Sequence, residues 1–261
     1  PELLDWLAAE FIAQGWDMKK ILKTMVMSHT YRQSSHLEPE HRQLDPNNRW
    51  LARAPRLRLP GNVLRDQALY LSGLLVEKQG GPSVFPYQPA RLWEEASNAK
   101  YIVGKGADLY RRSLYSYWKR TLSPPTLAVL DNTDRESCSV RPKVTNTPLQ
   151  ALTLLNEVTF VEAARKLGEW TLTAGSSQDR ERIAIAFRKA TSRWPTNAEE
   201  DLLVKALDNY RQAFSRQPAA AAALLQVGQA PATSTVPEAE QAAWTSLANV
   251  ILNLDEVTTR E

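Results

Sequence analysis

Six apolar residues, Leu149, Leu152, Leu155, Val158, Val161 and Leu167, recur at helical spacing directly after Thr147-Pro148, and no other run constrains the fold as tightly. A threonine hydroxyl can accept a free backbone N–H, and a proline in the first turn gives up no hydrogen bond, so the pair marks a helix start. The spacing predicts one long helix from Pro148 to about Thr171 with its stripe turned inward. Comparable patterns predict helices over residues 2–14, from Asp17 through Val26, and over 62–77, 178–192, 197–215, 218–226 and 238–254. Gly15 is placed to stop the first of these and Asp17 to cap the second, which makes the two a helical hairpin. Thr196 and Glu199 form a capping box behind the Trp194-Pro195 turn.

Two stretches break the helical pattern. Pro39, Pro46, Pro55 and Pro60 lie too close together for a long regular element. Residues 80–146 are rich in proline, glycine and aromatics, and the only strand signal, Leu114, Tyr115, Tyr117 and Trp118 within 113–119, falls there with a second short extended piece at 137–140. The expected fold is mainly α: a multi-helix packing with a long irregular aromatic-rich insertion and at most a small antiparallel strand pair. The expected organisation is a single helical domain over 1–261, with 80–146 as insertion and 147–261 as its C-terminal helical part. So long a non-helical stretch in a helical protein points to a binding surface.

Composition sets outer bounds. With 43% apolar and 23% charged residues the chain is of ordinary globular type, and no stretch approaches the roughly 18 apolar residues of a membrane span. The absence of an initiator methionine and the immediate helical pattern suggest a piece of a longer polypeptide. The net charge of +3 divides into +6 over residues 1–156 and −3 over 157–261. The basic part favours an anionic ligand, but dense Lys/Arg runs are missing, which argues against nucleic acid. Cys138 is the only cysteine, so a thiolate zinc cage and an internal disulfide are impossible, and a small, partly buried apolar role is expected of it. His29, His36 and His41 lack the i, i+4 spacing of a helical zinc pair, so no metal site is expected.

Candidate binding residues cluster in the insertion. Arg111, Arg112, Lys119 and Arg120 stand among Tyr115, Tyr117 and Trp118, with Trp93 upstream. Aromatic faces take sugar or planar rings, and the cations suit carboxylate or sulfate groups. In an extended segment Tyr115, Tyr117 and Lys119 would share one side and Ser116, Trp118 and Arg120 the other. The competing reading makes the aromatics core and sends the cations to water. For acid/base chemistry the candidates are Glu94, Asp131 and Glu136, with Glu95 and Asp134 nearby, although their spacing does not make any two converge. Arg65-Asp66 suggests a buried ion pair near the segment of Arg56 and Arg58. Gly80-Gly81-Pro82-Ser83 reads as a turn, and Asn146 and Gln150 bracket a helix N-terminus that capping alone explains.

Several of these blocks carry a resemblance: Tyr31–Ser35, the Arg65-Asp66-Gln67-Ala68 run, Leu92-Trp93-Glu94-Glu95, residues 108–120, 135–141 and 146–156, Pro195-Thr196 and 252–256. In this order they resemble the C-terminal domain of unknown function (family 1553) of large planctomycete-type proteins, which commonly carry a planctomycete cytochrome c domain and a second domain of unknown function upstream. The resemblance implies a secreted or cell-envelope parent, with any haem c in its N-terminal part, since this chain has no Cys-x-x-Cys-His motif and no cofactor of its own is expected. No catalytic residue comes with the family. The leading expectation is a binding or interaction module that recognises anionic polysaccharide or the parent's N-terminal domains. The rivals are a carbohydrate-active hydrolase, the substrate domain of a haem-linked oxidoreductase, and a purely structural domain whose signature would be an exposed apolar patch.

Overall fold

The computed structural model describes residues 1–96, 100–133, 135, 138–139 and 143–260, with His41, Glu95 and Ala96 described by backbone alone. Two compact units emerge, Pro1–Leu57 with Thr259–Glu261, and Arg58–Thr258. The architecture is mainly α, with thirteen α-helices among the described residues. The only strands among them, β1 (Leu57–Arg58) and β2 (Thr259–Arg260), pair with each other. Among the described residues the one strand pair therefore joins 57–58 to 259–260 and does not lie in the insertion.

In the first unit α1 (Glu2–Ala13) and α2 (Met18–Val26) form the expected hairpin, with Asp17 accepting the Lys19 and Lys20 amides. The turn places Gly15 and Trp16 at positive φ, and Trp16 packs edge-on against Phe11 at 5.2 Å. α1 buries no residue fully and α2 buries only Ile21, while Leu4 is 71% and Leu22 51% exposed. The short α3 (Pro39–Leu44) leads into a closed loop over 45–56.

The second unit is built around two long helices. Its elements are α4 (Gly61–Leu71), α5 (Leu92–Ala96), α6 (Pro125–Val129), α7 (Pro148–Asn156), α8 (Val158–Thr173), α9 (Asp179–Thr191), α10 (Asn197–Arg216), α11 (Pro218–Leu225), α12 (Glu238–Leu252) and α13 (Asp255–Thr258). α12 lies along α8, and the two approach so closely at Gly168 that an added Cβ would sit 3.0 Å from the Trp244 and Thr245 backbone. Leu64 and Ala68 of α4 join Phe160, Ala163 and Leu167 of α8 and Ala248 and Leu252 of α12 in one core. Ile183, Phe187, Leu203, Leu207, Trp244, Leu247 and Ile251 make a second. Each buried Leu, Ile or Phe side chain contributes about 1.5–3 kcal/mol on burial.

Three expectations are corrected here. The long helix from Pro148 is two helices, because Glu157 is extended and its carboxylate accepts the Thr159 amide as the cap of α8. The predicted stripe is split accordingly: Val161 and Leu167 are core, whereas Leu149 and Leu152 are exposed. The helix expected over 62–77 ends at Leu71, where Gly73 takes a positive φ and Leu74 and Leu75 turn to pack on Leu69 and Leu109. The remaining expected helices form within a few residues of their predicted ends.

α8 also carries buried charge that no apolar pattern announces. Glu162 accepts from the Tyr110 hydroxyl at 3.0 Å and the Ala230 amide at 2.6 Å. Arg165 donates to the Ala230 carbonyl and to Glu169, which also accepts from Gln241 and Thr233. Such groups persist inside a protein only when paired, and here the pairing fastens the 228–237 loop and Tyr110 to the central helix. The insertion is thereby anchored at its base.

Candidate functional site

The insertion is held by two arginines. Arg65 of α4 is 3% exposed and donates to the carbonyls of Leu109 (2.7 Å) and Arg111 (2.9 Å) and to the Ser113 hydroxyl (3.2 Å). Burial lowers its pKa, opposed by Asp66 and Glu157. Asp66 accepts the Ser113 amide at 2.7 Å and lies 3.6 Å from Arg112 and 3.7 Å from Arg65. The ion pair suggested by Arg65-Asp66 therefore serves the 109–113 segment and not the neighbourhood of Arg56 and Arg58.

Arg111 is buried, and its guanidinium donates to the carbonyls of Lys78, Gly80 and Pro82 while lying 3.9 Å over the Tyr115 ring. The Tyr115 hydroxyl accepts the Gly80 amide. Gly80 and Gly81 both take positive φ, a sequence of conformations that glycine adopts without strain. The Gly-Gly-Pro turn thus wraps a guanidinium. Arg112, by contrast, is largely exposed beside Asp66.

The 113–119 segment is not the expected strand. A 3-10 turn (Ser113–Tyr115) starts it, and single bridges at Ser116 and Lys119 follow. The Val84 amide donates to Tyr115 and the Tyr117 amide to Val84, laying 84–85 alongside 115–117. Tyr117 stacks on Phe85, with centroids 4.9 Å apart and planes 18° apart. Trp93 leans on Tyr117 at 5.7 Å and meets Tyr101 edge-on at 5.1 Å, while Phe85 meets Tyr101 at 5.5 Å. The Tyr101 hydroxyl donates to the Pro86 carbonyl, and burial raises its pKa. Lys119 Nζ stands 4.6 Å over the Trp93 ring, and Tyr117 is 38% exposed. Trp118 lies instead under the Arg135 guanidinium at 4.6 Å.

Of the expected binding residues, Trp93, Tyr117 and Lys119 come together, Arg111 and Tyr115 form a neighbouring stack beneath the turn, and Arg112 stands beside Asp66 and Trp118 beneath Arg135. Phe85 and Tyr101 complete the cluster without having been singled out; the aromatic density of 80–146 was the only sequence signal for them.

The carboxylates behave differently. Asp131 accepts from the Thr145 amide and hydroxyl and from Gln150, and although burial works to raise its pKa these bonds hold it below the usual carboxylate range. Gln150 also closes a capping box with Thr147 and donates to the Val129 carbonyl, so the α7 N-terminus is filled by its own residues. Asn146 accepts from Arg58. Glu94 pairs with Arg91 at 3.7 Å. Glu136, Asp134, Arg141, Ser137 and Val140 lie outside the described residues, as does the Glu95 side chain. Cys138 is exposed and not partly buried. Among the described residues no group of three or more His, Cys, Asp and Glu could hold a metal ion, and no helix is long and apolar enough to cross a membrane.

A family model described as PSD1, protein of unknown function (DUF1553), matches residues 1–207. No curated protein and no solved structure matches the chain.

Proposed function

The chain belongs to this family of proteins of unknown function, and we propose that it is a binding module for anionic polysaccharide, with the Phe85–Trp93–Tyr101–Tyr117 cluster as its platform. The observation that carries this reading is a cluster of four rings, one pair stacked and the others edge-on or tilted, with Tyr117 38% exposed and an ammonium group over the Trp93 ring. Aromatic faces bind the apolar C–H faces of sugar rings, and a neighbouring cation selects chains bearing carboxylate or sulfate. Arg112 and Arg120 belong to the same basic segment and extend its positive field. The family resemblance supports an extracytoplasmic setting within a cytochrome c-associated protein. With Cys138 as its single cysteine the chain cannot form the two thioether links of a haem c, so such a haem would belong to another domain.

A second reading has its own support. The exposed apolar faces of α1 and α2, including Leu3, Leu4, Ile12, Met18 and Leu22, fit a surface that docks on another domain. The two readings are compatible, since a docked module can still present the platform. Titration with neutral, carboxylated and sulfated polysaccharides, followed by tryptophan fluorescence and by reducing-end release in the same samples, tests the proposal. Binding without release supports it, and release would point to hydrolysis.

A further inference from the structure

The α1–α2 hairpin of the first unit carries two exposed apolar stripes. On α2, Met18, Leu22, Met25 and Val26 recur at i, i+4, i+7 and i+8, the spacing of one helical face, and all four are exposed. On α1, the exposed Leu4, Ala8 and Ile12 are spaced four apart and share a face in the same way. Each stripe falls about a quarter-turn from the residues that meet the other helix, the half-buried Leu7 and Phe11 on α1 and the buried Ile21 on α2. The rotation has the same sense on both helices, so in an antiparallel pair the two stripes lie on one side of the hairpin.

Charge on the hairpin is divided by helix. α1 carries Glu2, Asp5 and Glu10 and no base, whereas α2 carries Lys19, Lys20 and Lys23 and no acid beyond its cap, Asp17. Lys20 lies 3.8 Å from Asp17. Asp5 follows Leu4, and Lys19 and Lys23 follow Met18 and Leu22, so these three charges flank the stripes. Among the described residues none of the three has an ion-pair partner. An anionic surface laid on this side would be repelled by α1 and a cationic one by α2. A second hairpin, turned about a two-fold axis parallel to the helices, sets each acidic helix beside a basic one and makes every neighbouring pair antiparallel.

We propose that this face seats a second copy of the chain, the two hairpins closing into an antiparallel four-helix bundle. The proposal rests on the exposed face that the second reading above offers to another domain, and gives it a definite occupant. In the bundle, Leu4, Ala8 and Ile12 of one copy pack on Met18, Leu22 and Met25 of the second. Asp5 then shares an outer flank with Lys19 and Lys23 of the second copy, the position from which charges set partner choice between packed helices. The helices are short, about 18 and 14 Å by their residue numbers, so the association is of micromolar strength. The aromatic platform plays no part in it.

Sedimentation equilibrium and light scattering of the full chain test this. The expected result is a reversible monomer–dimer equilibrium with a Kd below about 100 µM. Leu22→Glu, at an exposed position, should weaken it at least about tenfold with the far-UV circular dichroism unchanged. The double variants Lys19→Glu/Lys23→Glu and Glu2→Lys/Asp5→Lys should each lose the dimer alone and recover it as a heterodimer when mixed, because mixing restores an acidic helix beside a basic one at both contacts. A wild-type chain that stays monomeric at several hundred micromolar would overturn the second copy and leave the face to another domain. A dimer that all three variants leave intact would put the contact elsewhere and overturn the proposal. Charge variants that do not recover on mixing, or an open series of larger species, would overturn it as well.

Discussion

Tyr117 stacks on Phe85 with ring planes 18° apart, and this pairing joins the two arms of the insertion across one face. Tyr117 is partly exposed, and its ring also meets Trp93 at 5.7 Å. Tyr117→Ala should cost about 0.5–1.5 kcal/mol of stability as a lost aromatic pair and weaken binding of a sulfated polysaccharide about tenfold. Lys119→Ala removes its contact over the Trp93 ring, should cost about 0.5–1 kcal/mol of stability and should reduce the salt dependence of binding. Denaturant melts and titrations at two ionic strengths check both.

Arg111 and Arg112 are neighbours with opposite expected effects. Removing Arg111 orphans three carbonyls and the Tyr115 stack, so Arg111→Ala should lower stability by about 2–4 kcal/mol. Arg111→Lys should rescue little, because one ammonium cannot reproduce the fork. Arg112→Ala, which removes an exposed contact at 3.6 Å, should cost less than about 1 kcal/mol. Urea denaturation of the three variants measures the difference.

Glu157 gives the fold a pH signature. Burial raises its pKa from 4.5 to about 6, against hydrogen bonds from Thr159 and the charge of Arg65. The folded state therefore holds the proton more tightly than the unfolded state. This contribution is complete below pH 4.5 and is lost as pH rises through 6, a change of about 2 kcal/mol. Glu157→Gln keeps an acceptor for the Thr159 amide and should flatten stability across that window, as measured by denaturation at pH 4.5, 5.5 and 7.

Gly168 sets the spacing of the two central helices. Gly168→Ala places a methyl 3.0 Å from the Trp244 and Thr245 backbone, so α12 must shift. Overpacking of this kind should cost about 1–3 kcal/mol despite alanine's better helix propensity, a sign reversal that calorimetric melting would reveal.

Local signals made most helices legible: Thr147-Pro148, Asp17 and the Thr196–Glu199 box each mark a start that the structure uses. The break at Glu157 was hidden because Val158 and Val161 continue the apolar rhythm of Leu152 and Leu155 across a residue that caps a new helix. Glu162, Arg165 and Glu169 were unreadable as interior residues, since their partners Tyr110, Ala230, Thr233 and Gln241 are distant in sequence. The insertion was legible as an aromatic-cationic region, but periodicity could not separate Arg111, which faces carbonyls, from Lys119, which faces a ring. That distinction depends on where residues 78–93 return, a tertiary fact without a local signature.

The most direct test of the platform is a titration of wild type, Tyr117→Ala and Leu114→Ala with one sulfated polysaccharide and its neutral counterpart. Leu114 is 61% exposed and lies outside the ring cluster, so its variant controls for nonspecific surface change. The expected result is binding of the sulfated chain by wild type and Leu114→Ala, about tenfold weaker binding by Tyr117→Ala, and little binding of the neutral chain. Equal affinity of all three proteins for the sulfated chain, or no binding by wild type, would contradict it.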